Sequence, residues 1–307
     1  MGNIAFVFSG QGAQYSGMGQ KLYDNFAVAK KIMDEFEIVR PGTINQCFSG
    51  TEDELKDTRN TQPCVFAVSM MAAAAIESEG ITPSAVAGFS LGEMSALAYS
   101  EVFSRADAMR LVTRRGQIMA DALQGADSSM VAVMKVDAKK IETIASKYER
   151  VYPVNYNCPG QTVVSGEAEN LKLFCIEIKE AGGKAIPLKV AGGFHCPFMN
   201  EASDIFAKEL INVEISAPKY PVWSNLTALP YGKSGADVAE TLALQMKSPV
   251  LWQKTVENMV ESGIKTFIEL GPGKTLKGLI EKCSDNVAVY NIEDEISLFE
   301  TVKAILG

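Results

Sequence analysis

Residues 85–92, Ala85-Val-Ala-Gly-Phe-Ser-Leu-Gly92, join a short apolar run to a helical one through the pattern G-x-S-x-G. Context gives this five-residue pattern its meaning. An apolar strand over 85–89 feeds a helix over 90–99, and the serine belongs at the turn between them. Such a turn strains the serine backbone and accepts only small residues two places to either side. It also presents the first N–H groups of the helix, which have no intrahelical acceptor, to any negative charge that develops beside the serine. For the pattern alone, an ordinary glycine-rich turn is the plain alternative.

Working outward, the alternation of strands and helices continues. Residues 4–8 read as a strand leading into a glycine-rich loop. Residues 62–79 are apolar almost all round, which predicts a buried helix, and 105–123 predict a further helix. A last buried strand is expected at 266–270. Strands of this kind between helices indicate a parallel sheet covered on both faces. The middle of the chain differs. Strands at 130–136, 152–156, 162–165 and 184–190, with helices at 138–148 and 167–181, give β-α-β-β-α-β, the ferredoxin-like order. The expected fold is α/β, with a parallel-sheet body over 1–125 and 193–307 and an inserted ferredoxin-like small domain over 126–192. Glycine stands at both junctions, Gly125 and Gly192-Gly193.

Composition narrows the function. The 307 residues carry 29 basic and 37 acidic side chains, a net charge of −8, which argues against a nucleic-acid partner. The six cysteines form no C-x-x-C pair, and a single histidine cannot complete a zinc set, so neither a disulfide framework nor a metal is expected. Scattered thiols suggest a reducing, cytoplasmic setting. The longest apolar stretch, 64–76, is too short to cross a bilayer, and 4–8 is too short for a signal sequence.

Two side chains stand out beside Ser90. His195, the one histidine, lies in Gly192-Gly-Phe-His-Cys-Pro197, where body and insert should meet. A serine nucleophile needs a base, and no other histidine is available. Arg115 shares its helix face with Ala108, Leu111, Val112 and Met119, whereas Arg114 shares the polar face of Asp107, Arg110, Gln117 and Asp121. A guanidinium on an apolar stripe needs an anionic partner, either an internal acid such as Glu93 or a substrate carboxylate. Two nucleotide motifs fail. Gly271-Pro-Gly-Lys-Thr275 has Ile268 where a phosphate loop needs glycine, and Gly10-Gln-Gly12 has Tyr15 where a dinucleotide fingerprint needs its third glycine. As loops at strand ends, both are still expected to border an active site.

In combination, Phe8-Ser-Gly-Gln-Gly12, Gly88-Phe-Ser-Leu-Gly-Glu93, Thr113-Arg-Arg-Gly-Gln117, Gly193-Phe-His-Cys-Pro197, Gln245-Met-Lys-Ser-Pro-Val250 and Glu269-Leu-Gly-Pro-Gly-Lys274 resemble the malonyl-CoA:acyl carrier protein transacylase family, in its order and over nearly the whole chain. The resemblance implies a hydrolase-like α/β body with a ferredoxin-like insert. It implies Ser90 as nucleophile, His195 as base, and the backbone N–H groups of Gln11 and Leu91 as the oxyanion hole. It implies Arg115 on the malonyl carboxylate, Gln245 orienting His195 through its main-chain carbonyl, and Phe194 as the residue of malonyl-selective members. Malonyl-CoA and acyl carrier protein would be the partners, with no cofactor and no metal, in fatty acid biosynthesis.

A stand-alone acyltransferase of a polyketide assembly line shares this chemistry. A serine esterase or thioesterase should have an acid on His195 and leaves Arg115 unexplained, and a non-catalytic carrier-binding module leaves Ser90 and His195 unexplained. The chain departs from the family pattern at Phe89 (usually histidine), Ser9 (usually proline) and Cys196 (often serine). Lys184, Lys189, Lys274 and Lys277 are the basic candidates for docking an acidic carrier. An unperturbed His195 would titrate near ~6.5.

Overall fold

In the computed structural model, residues 3–188, 190 and 192–307 are described. Their strands are β1 (Asn3–Phe8), β2 (Ala85–Gly88), β3 (Ser128–Met134), β4 (Val151–Cys158), β5 (Gln161–Glu167), β6 (Lys184–Pro187), β7 (Val222–Trp223), β8 (Ile264–Leu270) and β9 (Ala288–Ile292). Five of them form a parallel sheet in the order β7-β2-β1-β8-β9. The pleat sends Ile4, Phe6 and Phe8 of β1 into one core and Ala5 and Val7 into the other, so both faces are covered. The helix Thr58–Ser78 is buried along almost its whole length, as its unbroken apolar character requires. It begins four residues before the predicted start because the Asp57 carboxylate accepts from the Arg59 N–H and caps it.

The second sheet is antiparallel, in the order β4-β5-β3-β6. Numbered within the unit this is 2-3-1-4, the ferredoxin-like arrangement. The helices Ala138–Ala145 and Ala168–Glu180 close it around a separate core of Val131, Val133, Ile141, Ile144, Phe174 and Ile178. Backbone bonds tie the insert to the body, from the Val250 N–H to Val154 O (2.8 Å) and from the Tyr156 N–H to Val250 O (2.9 Å). Strand β6 ends at Pro187, short of the predicted 190, and among the described residues the Leu188 N–H extends the ladder, to Met130 O. Lys189 lies outside the described residues.

The C-terminal ends of β1, β2 and β8 face the insert across a cleft of about 720 Å³. Gly10, Gln11 and Phe89 line it from the body, and Ala132, Asn155 and Val163 from the insert. Both glycine loops that failed as nucleotide motifs border this cleft, through Gly12 and through Thr275 and Leu276. Backbone at the carboxyl end of a parallel sheet is where open α/β folds place ligands.

Candidate active site

The elbow at Ser90 is built by close approach. A Cβ on Gly88 would lie 1.9 Å from the Gly92 carbonyl, and one on Gly92 would lie 2.0 Å from Phe8 O, so only glycine fits at either place. Between them Ser90 holds φ 53° and ψ −102°, a conformation that costs energy and persists only when its surroundings enforce it. Asn225 does the enforcing. Its Oδ1 accepts from the Ser90 N–H (2.7 Å) and its Nδ2 donates to Gly88 O (2.6 Å). Leu91 opens the helix Leu91–Tyr99, so its N–H is among those without an intrahelical acceptor.

His195 reaches the elbow from a buried position, with its Nε2 2.7 Å from Ser90 Oγ. Its Nδ1 lies 3.0 Å from the main-chain oxygen of Gln245. A carbonyl only accepts, so Nδ1 carries the proton and Nε2 is left free to take one from the serine. The partner of the ring is therefore a carbonyl and no carboxylate, as the resemblance implies. Burial, reinforced by the Arg115 charge, pushes the imidazole down to about 4. This corrects the expectation of a titration near 6.5, which assumed a solvated ring.

Arg115 is fully buried. Its Nη1 donates to Gln62 Oε1 (2.8 Å), and its Nη2 donates to Gln245 Oε1 (2.9 Å) and Ser90 Oγ (3.4 Å). Its Nε has no partner, and no ion pair involves it among the described residues. The internal acid, Glu93, makes no direct ion pair with the guanidinium among the described residues and acts on it only through its charge, because its carboxylate is hydrogen-bonded elsewhere. Glu93 accepts from the Asn225 N–H (2.8 Å), the Tyr231 hydroxyl and Gln245 Nε2 (3.3 Å). Burial raises it to about 7 and lowers Arg115 to about 10, which leaves the guanidinium charged at neutral pH. Arg114 points outward and pairs with Glu209 at 2.7 Å.

The remaining predicted residues also converge here. Gln11 borders the cleft and anchors its side chain on Thr58 Oγ1 (3.1 Å). Phe194 is buried beside His195. Phe89, in place of the usual histidine, packs its ring edge-on against Trp252 at 5.6 Å, and the buried Trp252 Nε1 has no partner. Cys196 is buried, which raises its thiol, so it is a poor rival nucleophile. Sequence reasoning missed Asn225, Tyr231, Gln62 and the side chain of Gln245, which also donates to Ser90 O at 2.8 Å. The one available signal was Ser224-Asn225, a polar pair directly after an apolar strand at the sheet end that carries the elbow.

A strained serine at a strand-to-helix elbow, facing a neutral imidazole on a parallel α/β body, defines the class of serine-centred acyl-transfer proteins. Within that class the chain belongs to the acyl transferase domain family, whose model matches residues 5–298. It is 36% identical over 300 residues to the malonyl CoA-acyl carrier protein transacylase of Bacillus subtilis (strain 168), covering 96% of this chain and 94% of that protein. The crystal structure of the malonyl CoA-acyl carrier protein transacylase from Clostridium perfringens superposes with a TM-score of 0.95 at 36% identity, covering 99% of this chain and 97% of that one. A malonyl-transacylase solved with its type II PKS acyl-carrier protein gives 0.95 at 32% identity, covering 98% and 99%. No helix among the described residues is long and apolar enough to cross a membrane.

Proposed function

We propose that this acyltransferase moves a malonyl group from malonyl-CoA to the phosphopantetheine thiol of acyl carrier protein through a malonyl ester on Ser90. The observation that carries the reading is Arg115, a buried guanidinium in no ion pair among the described residues, its Nε unpartnered and its Nη2 3.4 Å from Ser90 Oγ. An acyl group on that oxygen that ends in a carboxylate meets a charge already in place.

Ser90 Oγ gives its proton to His195 Nε2 as it attacks the thioester carbonyl. The Gln11 and Leu91 N–H groups hold the resulting oxyanion, and its collapse expels CoA, whose sulfur takes the proton from His195. The carrier thiol then gives its proton to the same nitrogen and attacks the ester, and Ser90 leaves reprotonated. Gln245 keeps the imidazole in the required tautomer, and Phe194 walls the acyl site. Residues 1–125 and 193–307 form the acyltransferase body, and 126–192 the insert that closes the cleft. Exposed Lys184 and Lys274 and half-buried Lys277 are the docking candidates for an acidic carrier. Six free cysteines support a cytoplasmic setting.

Fatty acid biosynthesis is the pathway this reading favours, and the curated relatives are named malonyl CoA-acyl carrier protein transacylases. The solved pair with a type II PKS carrier supports service to a polyketide line as the second reading. Intact-protein mass after brief exposure to malonyl-CoA tests the chemistry. The expected result is a malonyl adduct, absent from Ser90→Ala, that only added carrier protein discharges. Free malonate without an adduct means a hydrolase, and an adduct on the Ser90→Ala protein means that another residue is the nucleophile.

A further inference from the structure

The loop that carries Gln11 starts at Ser9, the first residue after β1, and Ser9 is 1% exposed. Its N–H donates to Leu270 O (3.2 Å), and its hydroxyl lies 3.2 Å from Glu269 Oε1 and 3.4 Å from Leu270 O. Glu269 is fully buried and has no ion pair among the described residues. Its carboxylate is held instead by neutral donors, the N–H groups of Leu276 (3.1 Å) and Lys277 (2.8 Å) and the Ser9 hydroxyl. Those two N–H groups belong to the first turn of the helix Thr275–Cys283, whose own N-cap residue, Lys274, supplies no side-chain bond. Glu269 therefore caps this helix from a neighbouring strand, and the Ser9 hydroxyl joins the loop to the cap.

We propose that Ser9 is a positioning residue for the reaction, its bond to Glu269 latching the Gly10-Gln11 loop so that the Gln11 N–H stays aimed at the developing oxyanion.

Packing makes the latch specific. A Cβ at Gly271 would lie 2.4 Å from Ser69 Oγ and 3.0 Å from Ser9 Oγ, so the two hydroxyls flank the glycine with no room to spare. The loop's other anchors, Gln11 on Thr58 and Gly12 on Gln14, are half-buried or exposed and lie farther along the chain. Among the described residues Ser9 ties the loop to the sheet at its buried end, its N–H on Leu270 O and its hydroxyl on Glu269. An oxyanion donor acts through position, so a loop held at that end by the Ser9 N–H alone, without the hydroxyl, is loosened and loses rate without losing substrate affinity. Both half-reactions pass through an oxyanion at the same carbonyl, so both should slow together.

The latch rests on the proposed malonyl transfer through Ser90, and rapid-quench mass measurement separates the two. In Ser9→Ala the two backbone bonds to Glu269 remain, so the helix cap survives and the melting temperature should stay within about 3 °C. The rate constants for acylation of Ser90 by malonyl-CoA and for discharge by carrier protein should each fall about tenfold, short of the ~10²–10³ lost when an oxyanion donor is removed outright. Half-saturation by malonyl-CoA should hold within twofold. Glu269→Gln should slow both steps similarly and also lower the melting temperature, because its amide cannot accept at both ends. Wild-type rates in Ser9→Ala, a loss confined to half-saturation, or slowing of one half-reaction alone overturn the latch. A wild-type control that forms no Ser90 adduct overturns the proposed function itself, before any variant is read.

Discussion

Replacing Arg115 by alanine separates the roles that a buried guanidinium can play. The side chain is fully buried and charged at neutral pH, its Nη2 lies 3.4 Å from Ser90 Oγ, and its Nε–H is unpartnered. A hydrogen bond to a charged group contributes ~1.5–3 kcal/mol, and a bidentate pair in a partly dry site roughly 3–4 kcal/mol. At ~1.4 kcal/mol per tenfold, Arg115→Ala should lower kcat/KM for malonyl-CoA by about 10²–10³. Acetyl-CoA has no carboxylate to lose, so its rate should hold or rise.

Stability alone does not discriminate, because Arg115 also satisfies Gln62 Oε1 and Gln245 Oε1. Removing it leaves both oxygens buried without that partner, at ~1–3 kcal/mol each, so a lower melting temperature is expected whichever role is correct. The ratio of the two substrates is the decisive quantity. Arg115→Lys should recover part of the malonyl rate, since an ammonium lacks the planar fork. Arg114→Ala removes an exposed pair worth ~0–1 kcal/mol and should be nearly silent. Steady-state rates on the three variants decide the matter. Equal loss of malonyl- and acetyl-CoA turnover in Arg115→Ala refutes the carboxylate role.

Three further outcomes follow from the same geometry. His195 acts as base only when neutral, and its lowered value moves the loss of reactivity down in pH. Inactivation by a neutral fluorophosphonate should therefore fall off as pH drops through about 4 and lose that limb in His195→Ala, and a half-point near ~6.5 would contradict the burial argument. Phe194→Ser should raise relative use of methylmalonyl-CoA by tens of fold, because a hydrophobic wall distinguishes one methyl by only ~1–3 kcal/mol; an unchanged ratio removes Phe194 from specificity. Asn225→Ala strands the Ser90 N–H and the Gly88 carbonyl, at roughly 2–4 kcal/mol together, so the melting temperature should fall by about 5–10 °C and acylation should slow. A melting temperature equal to wild type would show that the elbow does not depend on this brace.

Local sequence by itself determined the elbow. Gly88 is required by the Gly92 carbonyl within the same five residues, whereas the need for glycine at 92, set by Phe8 O on the neighbouring strand, belongs to the tertiary structure. Helical periodicity separated Arg115 from Arg114, because a 3.6-residue repeat assigns faces before any neighbour is known. His195 was found by elimination, and the order of strands in the insert followed from the order of its elements. What the tertiary structure alone decided concerns groups far apart in the chain. Asn225 lies 135 residues from the serine whose N–H it holds, and the side chain of Gln245 donates to Ser90 O across 155 residues. Beyond the polar pair Ser224-Asn225 after an apolar strand, no local pattern marks these braces, since an asparagine or glutamine becomes one only where the folded chain crosses itself. The occupation of Glu93 by Asn225, Tyr231 and Gln245, which leaves Arg115 without a direct ion pair among the described residues, is decided in the same way. So is the depressed titration of His195, because desolvation is a property of the neighbours that enclose a ring and not of the residues that flank it in sequence.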